Sequence, residues 1–364
     1  MRKLRKNPFY PQFGKRPDNF IGREQLINHL LDELYTINSP YRTTIISGVR
    51  GNGKTSILSD INLEIRKDPN WIVVNLSHTD DLMGKLVDKL AFECEKSGVA
   101  IKSLTIGAAG VGLSLEKKEA NSSFKKLLEL TERIKREEKQ LLVLLDEISI
   151  GTDLREFIST YQLLLREGVE IALVMAGLPQ NVLKVLKDDV LTFLRRSKQI
   201  FLEPIEPFSF KVEYETIFKK AGRVIEEDAL DLAYLSSGGY PYMFQLIGYY
   251  IWSSEKSVID KSIVEHAIQV SKGELYKNVY GVLIDDMGPF EQKYVLAMAK
   301  NQQPVKAADL AKTLGKEVTS ISPYREKLLE RGIIRASSRG FVEFILPFFG
   351  EFLLEKEKQE KLRL

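Results

Sequence analysis

ISGVRGNGKTS, residues 46–56, is a glycine-rich stretch that follows a β-branched run and precedes a helical pattern. Gly48 to Thr55 matches G-x-x-x-x-G-K-[ST] in the strand–loop–helix context that this motif requires. Its glycines let consecutive backbone N–H groups turn toward phosphates at a helix N-terminus, while Lys54 reaches the outer phosphates and Thr55 ligates Mg²⁺. We therefore predict that a nucleoside triphosphate is bound by Gly48, Val49, Arg50, Gly51, Asn52, Gly53, Lys54, Thr55 and Ser56, with Lys54 also acting in catalysis.

A second motif, LLVLLDEIS, lies about ninety residues downstream at 141–149. Five apolar strand residues deliver Asp146 and Glu147 to the carboxyl edge of the predicted sheet. Asp146 is expected to hold Mg²⁺ through its water shell, and Glu147 to orient or deprotonate the attacking water. The alternative is that the two carboxylates only cap the next helix.

Strand and helix patterns alternate from residue 43 to about residue 205, which predicts a parallel sheet with helices on both faces. Cys94 falls on the apolar side of a helix at 82–96 and is expected in the core. Residues 101–120 are rich in Gly, Ser and small apolar residues, which indicates a hairpin or flexible insertion, either a surface loop or a partner-contacting element. Ser122 or Ser123 is expected to cap the helix that follows.

The strand signal stops at Pro204, and helical patterns and then a short two-stranded ribbon follow. Three helices and a hairpin in about 60 residues are the outline of a winged helix. A helical pattern spans 317–331, but Pro323 is unfavourable inside a helix, so the third of these helices either fills that range or begins near Ser322. The expected organisation is a basic N-terminal arm (1–20), a nucleotide-binding domain (21–205), a helical lid (206–284), a winged helix (285–350) and a solvated charged tail (351–364).

The composition excludes several classes of protein. The chain of 364 residues has one cysteine, which rules out an internal disulfide, and three histidines, too few with one thiol for a usual zinc site. No apolar run approaches membrane-spanning length, and a cytoplasmic location is expected. The net charge is only +3, but residues 1–16 and the region 287–350 are both basic.

These motifs together resemble a known group of proteins. DNFIGREQLINHLLDEL (18–34), the glycine loop, LLVLLDEIS and a helical lid before a winged helix resemble AAA+ ATPases of the origin-recognition type, and equally the related STAND signalling ATPases. The resemblance implies that the nucleotide is ATP with Mg²⁺, that hydrolysis is slow without assembly, and that subunits associate in an ATP-dependent homo-oligomer.

Further site residues follow from this resemblance. It places Ile21, Gly22 and Arg23 near the base, and Asn75 where many AAA+ proteins restrain the catalytic glutamate; a buried Asn75 that satisfies backbone groups is the alternative. SSGGYPYMFQL (236–246) resembles the Gly-x-Pro motif of STAND ATPases, in which the proline packs near adenine. Tyr240 and Pro241 are therefore candidate base contacts, although Pro also favours a helix start.

The chain departs from the AAA+ pattern at the fourth strand. Ala176, Gly177 and Leu178 stand where a polar residue normally senses the γ-phosphate, and Asn181 comes late. Arg195 and Arg196 precede the last strand, where AAA+ proteins place an arginine finger for a neighbouring subunit. The alternative for this pair is two solvated charges.

The side chains of the predicted winged helix indicate which molecule the protein binds. The winged helix offers polar and basic side chains to double-stranded DNA, and the expected contacts are Lys316, Thr319, Ser320, Ser322, Arg325, Arg335 and Arg339. Winged helices also dock proteins, so three functions stay open: an ATP-dependent regulator of DNA-associated assembly, a STAND-like switch that controls an unknown protein partner, and a helper ATPase for replication or transposition. The basic arm could add phosphate contacts or be disordered.

Overall fold

The computed structural model describes residues 7–12, 22–77, 81–99 and 115–363. The chain divides into two compact units. One, the sheet unit, contains residues 25–47 and 54–201. The other, the helical unit, contains residues 1–24, 48–53 and 202–364, so the sheet unit is inserted into its chain.

The sheet unit is built on five parallel strands in the order β2-β3-β4-β1-β5. The strands are β1 (Thr43–Ser47), β2 (Trp71–Ser77), β3 (Gln140–Asp146), β4 (Ile171–Gly177) and β5 (Lys198–Phe201). Both alternating sets of side chains on β3 and β4 are buried, which is why these strands read as continuous apolar runs. The sheet is therefore covered on both faces.

Within the described residues, the segments before and between these strands form six α-helices: α1 (Glu24–Tyr35), α2 (Lys54–Ile65), α3 (Leu82–Lys96), α4 (Leu115–Arg136), α5 (Thr152–Arg166) and α6 (Pro179–Lys187). One core cluster joins α3, α4, α5 and α6 to one set of strand side chains. Cys94 lies inside this cluster, as predicted, with no exposed surface. The predicted P-loop NTPase architecture is confirmed.

The segment between β2 and β3 differs from the sequence prediction. Residues 100–114, and with them most of the predicted insertion, lie outside the described residues. Helix α4 already begins at Leu115, so the prediction of a helix capped at Ser122 or Ser123 is wrong. Residues 115–120, LEKKEA, consist mainly of strong helix formers and extend the helix without an apolar periodicity that would have revealed it.

From residue 202 the helical unit continues with the segment that the sequence predicts as a helical lid, called the lid below. Its elements are α7 (Pro207–Lys220), β6 (Val224–Ile225), α8 (Glu227–Ser237), α9 (Pro241–Ser253), β7 (Val258–Ile259), α10 (Lys261–Leu275), a π-helical turn (Tyr276–Tyr280) and α11 (Gly281–Asp285). The π-helical turn is continuous with α10 and α11, so one long helical run leads out of the lid. No described helix is both long and apolar enough to cross a membrane.

The winged-helix region follows with α12 (Pro289–Ala299), β8 (Val305–Lys306), α13 (Ala307–Thr313), α14 (Val318–Glu330), β9 (Ile334–Ser338) and β10 (Phe341–Phe344). Its sheet has the order β8-β10-β9. Helix α14 fills the predicted 317–331 pattern, whereas the alternative start near Ser322 is wrong, because the helix starts at Val318 and contains Pro323. Pro323 is exposed within the first two turns, where the carbonyl that loses its N–H partner is accessible to water.

The predicted charged tail is a helix. Helix α15 runs from Phe349 to Arg363 and packs against α12. Phe349 and Leu353 are buried, and Lys300 of α12 forms an ion pair with Glu357 at 2.7 Å. The tail is thus a helix that two buried apolar side chains and an ion pair anchor.

A short N-terminal segment, residues 7–12, docks onto the lid. The ring of Phe9 is 1% exposed and lies 5.7 Å, centroid to centroid, from each of Tyr214, Phe218 and Phe244. A Cβ at Gly248 would overlap this ring, so the glycine in α9 creates the space that Phe9 fills. Residues 7–12 are therefore anchored to the lid by the apolar side chain of Phe9.

Polar contacts fix the same segment in register. The backbone N–H of Tyr10 donates to Oε1 of Gln245 at 2.8 Å, and Nδ2 of Asn7 donates to the carbonyl of Tyr249 at 3.3 Å. Both acceptors belong to α9. Residues 7–12 thus lie along α9 with their side chains and backbone both engaged.

Replacing Phe9 by alanine should destabilise the helical unit by about 3–5 kcal/mol, because the change empties a cavity among three aromatic rings. Urea unfolding followed by hydrogen exchange of the α7 and α9 amides measures the loss. Leu362→Ala is the matched control, since this side chain is 79% exposed on α15.

The sheet unit supplies an internal reference for this experiment. Burial raises the pKa of the Cys94 thiol to about 11, so almost no thiolate is present at pH 8 and labelling requires opening of the sheet unit. Phe9→Ala should leave the rate of Cys94 labelling by a thiol reagent unchanged. Equal destabilisation of both units would show that Phe9 does not act locally.

Candidate functional site

Buried contacts within the helical unit hold the glycine loop at residues 48–53 in place. Gly51 and Gly53 have φ values of +79° and +87°, which L side chains rarely adopt. Asn52 is 3% exposed, and its Nδ2 donates to the carbonyl of Leu202. Val49 packs in the apolar core of the helical unit. The conformation of the loop is therefore fixed by the burial of Val49 and Asn52 in the helical unit.

The loop continues directly into α2, whose first residue is Lys54. Four backbone N–H groups at such a helix start have no partner inside the helix, and the helix dipole favours an anion there. Lys54, Thr55 and Ser56 are each partly exposed in this first turn. The arrangement suits a phosphate chain, as the motif predicts.

The two motifs meet inside the sheet unit. The hydroxyl of Thr55 donates to Oδ2 of Asp146 at 2.6 Å, although 91 residues separate them. Asp146 is the last residue of β3, and β3 neighbours β4, which in turn neighbours the strand that enters the loop. The parallel sheet therefore brings the end of LLVLLD against the start of α2.

Glu147 follows in a left-handed conformation, with φ of +58°. Its N–H donates to Oδ1 of Asp146 at 2.9 Å, and the next N–H, of Ile148, donates to the carbonyl of Ala176 at 2.9 Å. The Glu147 carboxylate is exposed. The sharp turn after β3 thus presents this carboxylate to solvent, immediately beside Asp146, while Ile148 returns to the core.

Thr55 and Asp146 together offer a hydroxyl and a carboxylate, the hard oxygen ligands that Mg²⁺ prefers. Among the described residues, no group of three or more His, Cys, Asp or Glu side chains could hold a metal ion. A magnesium ion in a nucleotide site takes one or two protein ligands and completes its shell with phosphate oxygens and water. The donor set therefore fits Mg²⁺ carried by a nucleotide.

The comparisons with known proteins agree with this architecture. The structure is similar to the Walker-type ATPase PABY2304 of Pyrococcus abyssi over 97% of this chain and 99% of the other, with a TM-score of 0.66 and 14% sequence identity. Weaker likenesses are to Cdc6p of Pyrobaculum aerophilum (TM-score 0.48, 18% identity, 96% of this chain and 97% of the other) and to the Thermotoga maritima RuvB Holliday junction branch migration motor (0.43, 17%, 91% and 95%). The chain has the fold of a P-loop ATPase.

A comparison at the sequence level covers only the C-terminal part. A family described as "Domain of unknown function (DUF8462)" matches residues 277–353. The match begins in the π-helical turn and ends in α15, so it contains the whole winged-helix region and the apolar anchor of the last helix. No curated protein matches the chain.

Asn75 is not the last residue of its strand, which ends at Ser77. It pairs in register with Leu144, whereas Ser77 pairs with Asp146. The Nδ2 of Asn75 donates to Oδ1 of Asn62 on α2 at 2.8 Å. The polar side chain nearest in register to Asp146 is therefore Ser77, which sequence reasoning missed although it is the last residue of the WIVVNLS run.

The carboxyl end of β4 is apolar, as its sequence indicates. β4 ends at Gly177, and a Cβ there would lie 2.8 Å from Cγ1 of Ile148. The glycine thus lets the turn after Asp146 pack closely. Asn181 lies in the first turn of α6, beyond the strand end.

Arg195 and Arg196 differ in their surroundings. Nε of Arg195 donates to the carbonyl of Leu186 at 3.0 Å, and an Nη donates to the carbonyl of Asp188 at 3.4 Å, so this side chain caps the end of α6. Arg196 is exposed and makes no hydrogen bond or ion pair with any residue in the described part of the chain. Of the two, Arg196 is the one that is available to another molecule.

The predicted base-side residues lie in the helical unit. Ile21 is outside the described residues. An Nη of Arg23 donates to the carbonyl of Glu203, and burial lowers the pKa of this guanidinium. A Cβ at Gly22 would lie 2.5 Å from Cγ2 of Ile205, so Gly22 and Arg23 lie close to residues 203–205.

The GGYP segment is a compact turn. Gly238 ends α8 in a left-handed conformation, and Gly239 accepts a hydrogen bond from the N–H of Ile205 at 2.8 Å. Tyr240 precedes α9, and Pro241 is its first residue. Tyr240 is 3% exposed, and its hydroxyl donates to the carbonyl of Arg50 in the glycine loop. Sequence reasoning identified this tyrosine but did not foresee its contact with the loop.

The winged-helix residues are only partly free. Lys316, Thr319, Ser320 and Ser322 are exposed at the start of α14, and Arg339 is exposed at the turn of the wing. Arg325 forms an ion pair with Glu326 at 2.8 Å, and Arg335 forms one with Glu343 at 2.7 Å.

A buried carboxylate fixes α14 to α12. Glu291 is 1% exposed and accepts from Nη1 of Arg331 at 2.9 Å, and Lys327 is also paired with it. Residues 316–330 carry equal numbers of opposite charges: Lys316, Arg325 and Lys327 against Glu317, Glu326 and Glu330. The surface of this helix is consequently close to electrically neutral.

Proposed function

We propose that this protein is an ATP-binding molecular switch of the AAA+ type that hydrolyses ATP slowly. The observation that carries the proposal is the 2.6 Å hydrogen bond between Thr55 and Asp146, with Glu147 exposed at the next position. It unites the two motifs at the start of α2, where phosphates are favoured. A glycine loop without a ligand would not need this pairing.

The residues divide the work of hydrolysis among them. The N–H groups of the loop and Lys54 bind the phosphates, while Thr55 and Asp146 would hold a magnesium ion, which would neutralise charge on the outer phosphates. Glu147 orients a water molecule in line with the γ-phosphate and accepts its proton as the phosphorus–oxygen bond to ADP breaks. The products are ADP and inorganic phosphate.

We expect ATP turnover to be slow because the neighbouring strand end has no polar side chain. β4 ends in Ala176 and Gly177, which offer no polar side chain to the γ-phosphate. Mass analysis of nucleotide released on denaturation, together with steady-state phosphate release, tests the proposal directly. Retained ADP and low turnover support it, whereas absence of ATP and ADP binding in a direct titration would reject it.

Assembly should accelerate hydrolysis through Arg196, which is exposed and is not engaged by the described residues of its own chain. We expect Arg196→Ala to lower the ATPase rate of the assembled protein by about 10³–10⁵-fold, the usual worth of a supplied arginine. Arg195→Ala is the matched control, because Arg195 caps α6 within its own unit. Equal rates for Arg196→Ala and the unmodified protein across a concentration series would contradict this role.

The winged helix is the proposed output of the switch. Its exposed Lys316, Ser320 and Arg339 suit duplex DNA, the target that the sequence favours. The neutral surface of α14 and the ion pairs of Arg325 and Arg335 favour a protein partner instead, as in the STAND-like alternative. We propose the protein partner as the second candidate on this observation. A helper ATPase for replication or transposition would use the same surfaces.

Fluorescence anisotropy with a duplex separates the two targets. DNA binding that weakens between about 50 and 200 mM salt and differs between ATP and ADP assigns DNA as the target. The matched variant is Lys316→Ala, which should reduce the salt dependence. No binding at the lower salt in either nucleotide state would leave protein docking as the output.

A further inference from the structure

Tyr240 reaches the glycine loop from within the lid. Its hydroxyl donates to the carbonyl of Arg50, and its ring is almost completely buried. A Cβ at Gly51 would overlap the hydroxyl of Tyr240 and would lie 2.9 Å from Cβ of Tyr242. Gly51, at a variable position of the motif, is therefore required not only by its φ of +79° but also by its close contact with the two tyrosines.

The position of Tyr240 is itself fixed. The preceding residue, Gly239, is bonded to the N–H of Ile205, and α9 starts immediately after it. The rings of Tyr240 and Tyr242 meet edge to face, with centroids 6.3 Å apart. Tyr242 is held in turn by Nδ2 of Asn278, which donates to its hydroxyl at 3.3 Å. The hydroxyl of Tyr240 is thus a donor on a rigid support.

Because a peptide group is planar, the contact of Tyr240 with the carbonyl of Arg50 also fixes the direction of the next N–H in the loop. The carbonyl of Arg50 and the N–H of Gly51 belong to one peptide, and in a trans peptide they point in opposite directions. With the carbonyl directed at Tyr240, the N–H of Gly51 is directed away from the lid core. Reversal of this peptide would turn a carbonyl oxygen, instead of a donor, toward the ligand side of the loop.

We propose that Tyr240 is a positioning residue of the phosphate loop: its hydroxyl fixes the Arg50–Gly51 peptide so that the N–H of Gly51 faces the phosphates. The inference rests on the proposed nucleotide binding by this loop. It assigns Tyr240 to the phosphates and not to the adenine contact that the GGYP resemblance implies. The hydroxyl stays protonated, because burial raises the pKa of Tyr240 far above its ordinary value.

The test compares Tyr240→Phe with Tyr242→Phe. The first change removes the bond to the loop and keeps the ring, and the second removes the bond from Asn278 and leaves the bond to the loop in place. Affinities for ADP and for inorganic pyrophosphate, each with Mg²⁺, are measured by calorimetry. We expect Tyr240→Phe to weaken both ligands by the same factor, about tenfold, and Tyr242→Phe to change neither by more than about twofold.

A merely structural role would not produce this equal loss. Hydrogen exchange of a peptide covering residues 46–56 should be faster in Tyr240→Phe, with α9 itself unchanged. Weaker ADP binding with unchanged pyrophosphate binding would overturn the proposal in favour of a base contact, and unchanged affinities for both would overturn it outright. If the unmodified protein binds neither ligand, the proposed function itself fails, and that result is distinct from a failure of the variant alone.

Discussion

Lys54→Ala should weaken the binding of ATP by roughly 100-fold or more. Lys54 is the first residue of α2, next to a glycine loop whose other donors are backbone N–H groups. Removing the ammonium group takes away a charge-assisted contact to the outer phosphates, which the backbone cannot replace. The loss should therefore be larger for ATP than for AMP.

Titration of a fluorescent ATP analogue at fixed Mg²⁺ measures the effect of this change. Lys67→Ala is the matched control, because Lys67 follows the other end of α2 and pairs only with Glu64 on the surface. Normal ATP affinity in Lys54→Ala would contradict the assignment of the loop. An equal loss in Lys67→Ala would indicate a general effect of charge.

Glu147→Gln should stop turnover while leaving binding intact. The amide keeps the size of the side chain but cannot accept the proton of the attacking water, so the hydrolysis rate should fall by about 10²–10⁴-fold. Glutamine can retain the left-handed backbone of this position, and Asp146 keeps its bond to Thr55. The variant should therefore accumulate in the ATP state.

Single-turnover hydrolysis and ATP affinity measured on the same sample separate the two effects. Glu156→Gln provides the control, since Glu156 is exposed on α5. Unimpaired hydrolysis in Glu147→Gln would remove this residue from the mechanism. A parallel loss of ATP affinity would mean that the change disturbs the Asp146 turn.

Local sequence predicted the parts of this molecule that depend on local chemistry. The glycine loop, the Asp146–Glu147 pair and the buried strands are encoded by residue types at fixed spacing. The contact between Thr55 and Asp146 was predictable because parallel strands end at one edge of the sheet. The early start of α4 was not, because LEKKEA has helix propensity but no apolar face.

Contacts between distant segments could not be predicted in the same way. Phe9 lies in the proline-containing stretch NPFYPQF, which has no regular apolar periodicity, and its three aromatic partners follow more than 200 positions later. Tyr240 was recognised through its motif. The acceptor of its hydroxyl is a backbone carbonyl, which every residue has, so the sequence could not identify the partner. The packing of α15 through Phe349 and Leu353 could not be predicted, because the charged residues of this helix outnumber these two apolar ones.

The docking of Phe9 has a consequence for the order of folding. Domains fold from the N-terminus as a chain is synthesised, but the helical unit begins before the sheet unit and is completed only after it. Phe9 leaves the ribosome before α7 and α9 are synthesised. Its apolar ring therefore lacks its packing partners throughout synthesis of the sheet unit. The unit whose chain starts first is therefore expected to be the last to fold, and fusions placed directly before residue 7 should affect its yield more than fusions at the C-terminus.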